Sequence, residues 1–282
     1  VMGIDRNHCT IGETEHPFTI NFSRDDVRIT THYHADMVAS SLFSVIHEGG
    51  HALYELHTGR ELARSNLGTG VSMGIHESQS RFYENIIGRS RAFCSIIYPW
   101  LKEHFAPRLD HVTEDDFYRM INKSEPSLIR TEADELTYCL HIMVRYELEK
   151  RMFDGSLTAH DLPAEWNRLY KEYLGIDVPD DRQGVLQDSH WANGNIGYFP
   201  SYAIGSAYGA QYLQEMSRDL DVDAVVRSGD LTPINNWLED RIWKHGCMKD
   251  PVALFESVCG KFDPDCYVAY LEKKFTEVYG LS

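Results

Sequence analysis

Leu42-Phe43-Ser44-Val45-Ile46-His47-Glu48-Gly49-Gly50-His51-Ala52-Leu53-Tyr54-Glu55-Leu56-His57 is the stretch on which the fold turns. Met37, Leu42, Val45, Ile46, Leu53 and Leu56 recur close to a helical period and Gly59 ends the run, so the spacing predicts a helix over about 35–57. Within it lies His47-Glu48-Gly49-Gly50-His51. Positions i and i+4 share one face of a helix, so both imidazoles can point at one metal ion. Glu48 stands beside the first of them and can take a proton from an attacking water. Two glycines inside a helix cost about 1–2 kcal/mol relative to alanine. A pair of surface histidines on an amphipathic helix gives no reason to bear that cost.

Zinc hydrolases bind their ion through three protein ligands and keep a fourth position for water. The best third candidate is Glu77, in His76-Glu77-Ser78-Gln79-Ser80-Arg81. The intervening segment 58–75, with its Gly-rich part 67–74, is long enough to bring Glu77 back antiparallel to His47 and His51. The plainer reading of Glu77 is a first-turn carboxylate facing a helix N-terminus. His76 could also bind an ion, but adjacent residues do not share a helix face, so only one of the two binds.

Working outward, 16–33 alternates on either side of Arg24-Asp25-Asp26 and predicts a β-hairpin. A long helix is expected over 76–104, broken or bent near Pro99. Another is expected after Glu125-Pro126, running to about 153 and stopping at Asp154-Gly155. Shorter helices are expected at 160–174, 201–217, 221–227, 232–245, 250–258 and 264–279, with a loop-like stretch over 177–200. The expected class is therefore mainly α with one small β-sheet. No repeat or linker divides the chain, so 1–282 is expected to be a single domain.

The 282 residues are 43% hydrophobic and 25% charged, which is globular composition rather than disorder. Lys and Arg number 27 against 43 Asp and Glu, a formal charge of −16. Phosphate-bearing nucleic acid would be repelled by that balance, whereas a peptide would not. No apolar run approaches the ~20 residues of a membrane crossing, and no signal-peptide core is present at the start. The six cysteines form no CxxC pair and are expected to be reduced thiols.

Six short motifs now stand in order: His16-Pro17-Phe18, Asp26-Val27-Arg28-Ile29-Thr30, His47-Glu48-Gly49-Gly50-His51, His76-Glu77-Ser78-Gln79, Ile129-Arg130-Thr131-Glu132-Ala133-Asp134 and Gly184-Val185-Leu186-Gln187-Asp188-Ser189-His190-Trp191. In this order the chain resembles the carboxypeptidase Taq family of metallocarboxypeptidases, peptidase family M32. The resemblance implies that His47, His51 and Glu77 bind the metal and that Glu48 is the catalytic base. It implies a helical fold with a deep groove, like that of the neurolysin and angiotensin-converting-enzyme peptidases, with the small sheet near the active site. It also implies a cytoplasmic homodimer that removes single C-terminal residues from peptides with broad specificity. Zinc is the expected ion, with cobalt as a possible substitute. Family members carry a long helical region before the His-Pro-Phe motif, where this chain has only residues 1–15, so the chain is expected to be the C-terminal part of a longer one.

An exopeptidase must also read a free carboxylate. Arg130 is the first choice, because a guanidinium grips a carboxylate with two hydrogen bonds. The plainer reading of Arg130 is an i, i+4 helix pair with Asp134. Arg28 is its competitor for the carboxylate, and Asp26-Val27-Arg28 reads equally as an ion pair within the hairpin. His190 and Tyr198 are candidates to donate hydrogen bonds to the oxyanion, with Tyr202 as the rival of Tyr198. Gln187 and Asp188 are expected to hold the loop or orient a ligand histidine, and Trp191 to be core. The alternatives to a carboxypeptidase are a related endo-oligopeptidase or dipeptidase, and an inert metal-binding fragment.

Overall fold

The computed structural model describes residues 1–281. Three strands, β1 (Cys9–Glu13), β2 (Thr19–Ser23) and β3 (Asp26–Thr31), form one sheet in the order β1-β3-β2. β2 and β3 are the expected hairpin, with a register irregularity between Asn21 and Ser23. β1 runs parallel to β3, pairing Cys9 with Val27 and Ile11 with Ile29. It was not expected from the sequence: five residues interrupted by Gly12 carry little strand signal, and the pairing with β3 supplies the order. Cys9, Val27 and Ile29 bury their side chains against Ala52 and Leu56. That contact seats the sheet on helix α1 (Val38–Leu56).

The helix expected over 76–104 is divided. α2 (Met73–Arg81) passes into a wide π-type turn at Phe82–Ile87, and α3 (Arg91–His104) begins afresh after it. The Ser90 side chain accepts from the Phe93 amide and caps the new start. Pro99 lies inside α3 rather than at the break. α4 (Glu114–Ile121) is a helix the sequence does not predict.

The helix expected after Pro126 starts nine residues later, at Glu135. α5 spans Glu135–Phe153, and the residues before it form an extended segment with a single 3-10 turn at Arg130–Glu132. Asp134 is the cap: its carboxylate accepts from the amides of Leu136 and Thr137 and from the Ser124 hydroxyl. The remaining helices fall within a few residues of expectation: α6 (Leu162–Leu174), α7 (Pro200–Met216), α8 (Val222–Arg227), α9 (Thr232–Arg241), α10 (Pro251–Cys259) and α11 (Asp265–Tyr279).

The chain forms two compact units. One comprises Val1–Ile121 and the chain from Gly205 onward; the other is Asn122–Ile204. In the first, Leu53, Tyr54, Phe82, Tyr83, Tyr212, Trp243 and Phe255 form a large core around α1 and α2. In the second, α5 and α6 close over Val144, Leu148, Trp166 and Tyr170. All six cysteines are free thiols. Among the described residues no helix is long and apolar enough to cross a membrane.

Candidate metal centre

α1 places His47 and His51 one turn apart, with ring centroids 5.1 Å from each other. α2 brings Glu77 to them: one ligand atom from each of His47, His51 and Glu77 lies within 4.8 Å of the others. Among the described residues this is the one group of three His, Cys, Asp or Glu so arranged. His47 Nε2 and Glu77 Oε2 are 3.8 Å apart. Two imidazoles and a carboxylate form the donor set of a catalytic zinc site, which leaves room for a fourth ligand.

The glycines of the pentapeptide make this approach possible. A Cβ on Gly50 would sit 2.7 Å from both the Gln79 carbonyl oxygen and the Ser80 Cα, so α1 and α2 touch backbone to backbone there. A Cβ on Gly49 would sit 2.8 Å from the Met2 side chain. On the opposite side, a Cβ on Gly205 would lie 2.4 Å from the Cβ of Glu77. Gly205 was not singled out in the sequence, because nothing local marks α7 as the neighbour of α2.

The partners of the two histidines were also not foreseen. His47 Nδ1 donates to Glu84 Oε2 at 2.8 Å, which leaves Nε2 for an ion. Glu84 sits seven residues beyond Glu77, the only hint in the sequence, and the wide turn at 82–87 is what delivers it. Burial opposes the charge on Glu84, but Arg81, His47 and Arg89 hold its carboxyl well below the usual range. Burial likewise opposes a cationic His47, yet the Glu84 hydrogen bond and nearby carboxylates raise its pKa. Burial, then the neighbouring His47, push His51 well down, toward the neutral form that binds metal. His76 is not part of the ligand group; its Nδ1 faces His51 Nδ1 at 3.1 Å and its Nε2 meets Glu55 Oε1 at 2.6 Å.

Glu48 is 7% exposed. Burial raises its pKa, a direction that suits a group which must both accept and return a proton. The Thr19 hydroxyl, on β2, donates to Glu48 Oε2 at 2.5 Å, so the sheet orients this carboxylate.

Arg28 is exposed and makes two bonds of 2.9 Å to Asp26, two residues away on its own strand. That is the hairpin ion pair. In the second unit Arg130 is not paired with Asp134, because it precedes α5 instead of lying on it. Its Nε and Nη2 donate to Asp188 Oδ1 at 2.9 and 2.8 Å, and its Nη1 donates to the Tyr138 hydroxyl at 3.0 Å. Asp188 also accepts from the fully buried Arg145, so one carboxylate stands between two guanidiniums. Burial works against its charge, but Arg145 and then Arg130 lower its pKa. Gln187 accepts from the Arg130 amide and from Arg145 Nη2. Gln187 and Asp188 thus hold the loop. Trp191 is half-buried and donates through Nε1 to Glu149. His190 Nε2 lies 3.0 Å from the hydroxyl of Tyr202, while the Tyr198 ring is 5.4 Å from the His190 ring, centroid to centroid.

A family model described as carboxypeptidase Taq (M32) metallopeptidase matches residues 1–275. Carboxypeptidase 1 of Bacillus subtilis (strain 168) is 44% identical over 280 residues, 99% of this chain and 56% of that protein. Thermostable carboxypeptidase 1 of Thermus thermophilus is 43% identical over 281 residues, 99% of this chain and 55% of its own length. The crystal structure of the M32 carboxypeptidase from Deinococcus radiodurans R1 superposes with a TM-score of 0.96 at 39% identity, covering 99% of this chain and 57% of that one. The chain therefore spans little more than half the length of the relatives it matches.

Proposed function

The chain belongs to the carboxypeptidase Taq (M32) metallopeptidase family, and from that membership we propose that it works as a metal-dependent carboxypeptidase. It removes single C-terminal residues from peptides, with broad specificity. The observation that carries this reading is the convergence of His47, His51 and Glu77 beside a buried Glu48.

His47, His51 and Glu77 would hold a divalent ion, zinc first and cobalt as a substitute. Such an ion supplies Lewis acidity, which polarises a carbonyl and acidifies water. Glu48 takes the proton of the attacking water and returns it to the leaving amine. His190 and Tyr198 are assigned to donate to the developing oxyanion. Arg130 is assigned to the substrate C-terminal carboxylate, supported by its surplus donors: a guanidinium has five N–H groups, and Asp188 and Tyr138 engage three. Arg28 is the competing reader. Residues 1–282 are taken as one catalytic domain within a longer family-type chain, a homodimer in the cytoplasm.

Metal analysis together with mass spectrometry of a digested peptide tests the proposal. Stepwise loss of single C-terminal residues, dependent on about one bound ion per chain, is expected. Internal fragments would make it an endo-oligopeptidase, and bound metal without products would make it an inert binding module. Sedimentation at 32.4 kDa instead of twice that mass would remove the dimer.

A further inference from the structure

The proposed ligands leave unexplained the Gly-rich loop 67–74, and the structure shows it wrapped around a carboxylate beneath the metal centre. Glu55, one helical turn beyond His51 on α1, is 3% exposed. It accepts from the Thr69 hydroxyl at 2.8 Å, the Gly70 amide at 2.9 Å and Asn21 Nδ2 at 2.8 Å. The Val71 amide donates to the Tyr54 hydroxyl, which pins the loop at its next residue. Only glycine fits at 70, since a Cβ there would lie 2.3 Å from His76 Nε2 and 2.8 Å from the Tyr54 ring.

The hydrogen-bond network around these rings assigns their hydrogens. An ionised carboxylate only accepts, so the 2.6 Å contact to Glu55 places the His76 hydrogen on Nε2. In a neutral imidazole the other nitrogen accepts, so His76 Nδ1 takes a hydrogen bond and the facing His51 Nδ1, 3.1 Å away, is the donor. A neutral His51 that carries its hydrogen on Nδ1 has a free lone pair on Nε2, the atom left to bind an ion.

We propose that Glu55 and His76 are positioning residues: held by the loop 67–71, they lock His51 in the tautomer and ring orientation that bind metal. The proposal rests on the reading of His47, His51 and Glu77 as the ligands. His47 receives its support directly from a carboxylate, Glu84, whereas His51 receives it through an intervening imidazole. Such outer partners change metal affinity by roughly 10- to 100-fold when removed.

The test measures zinc affinity of the whole protein by chelator competition, and the visible spectrum of the cobalt-loaded form. The variants are His51→Ala, His76→Leu, His76→Asn and Glu55→Gln, and thermal unfolding of each without metal reports folding. His51→Ala should lose stoichiometric binding. His76→Leu and Glu55→Gln should bind zinc about 10- to 100-fold more weakly and alter the cobalt bands. His76→Asn should recover part of the affinity, because its amide oxygen can accept from His51 Nδ1. If His76→Leu does not fold, Glu55→Gln and His76→Asn carry the comparison. Loss of metal in His51→Ala with wild-type affinity and spectrum in the other variants would overturn the relay and leave the ligand reading standing. Undiminished binding in His51→Ala would overturn the ligand reading, and the relay with it.

Discussion

Gly50 on α1 and Gln79 on α2 meet so closely that a Cβ on the glycine would stand 2.7 Å from the glutamine's carbonyl oxygen. The obstructing atoms are backbone, which cannot rotate away. Gly50→Ala should gain up to ~1 kcal/mol in helix propensity and lose more through overpacking, typically ~1–3 kcal/mol, as α1 and α2 are forced apart. Since α2 carries Glu77, metal affinity should fall together with the unfolding temperature. A variant as stable as the wild type, binding metal equally well, would show that this contact does not set the distance between the ligands.

Glu48→Gln should keep its metal and lose most of its turnover. The amide preserves the shape and can still accept from Thr19, but it cannot take a proton from water. General-base catalysis contributes about 10²–10⁴-fold, and kcat should fall by that order. Equal metal content with undiminished kcat would mean that another group is the base.

Asp188 predicts a pH dependence of stability. Arg145 and Arg130 hold its folded pKa below the ordinary aspartate value of 3.8. A depressed carboxylate stabilises the fold above the unfolded pKa, and that contribution disappears as pH falls through the folded value. Asp188→Asn should therefore cost about 3–5 kcal/mol near neutral pH, because two buried guanidiniums lose their counter-charge. The gap between variant and wild type in urea titrations should shrink steadily below about pH 4. A gap that stays constant down to pH 2 would count against the ion-pair account.

The two arginines separate on a matched pair of peptides, one with a free C-terminal acid and one with an amide. Arg130→Ala should lose about 30- to several-thousand-fold in kcat/KM on the acid, the cost of removing one partner from a buried charge pair. Arg130→Lys should restore only part, since an ammonium lacks the bidentate fork. Arg28→Ala, removing an exposed pair with Asp26, should change little. Should Arg28→Ala show the acid-selective loss while Arg130→Ala does not, the assignment reverses. Equal losses on acid and amide for Arg130→Ala would restrict that residue to holding Asp188.

Where the sequence was legible, the signal was short-range. The pentapeptide needs only helical periodicity to bring His47 and His51 onto one face, and α1 does so. The helices from α6 onward could be placed because their ends are written locally, by Pro at the first turn in α6, α9 and α10 and by Gly just past α6 and α11. The third member, Glu77, was a choice between neighbours, and the chain path from 58 to 75 decides it.

What tertiary structure alone decided involves partners with no fixed separation in the chain. Asp134 reads as a helical partner for Arg130, yet it caps α5, and Arg130 turns to Asp188, 58 residues on. The wide turn that splits α2 from α3 carries Glu84 to His47, 37 residues earlier. β1 exists as a strand because β3 offers it hydrogen bonds. Sequence by itself therefore determined the helical class and the placement of His47 and His51 on one face of α1, since periodicity and capping act within a few residues. The folded chain decided which carboxylate backs which imidazole or guanidinium, because a buried charge takes whichever partner packing brings within about 3 Å, and no local pattern encodes that distance.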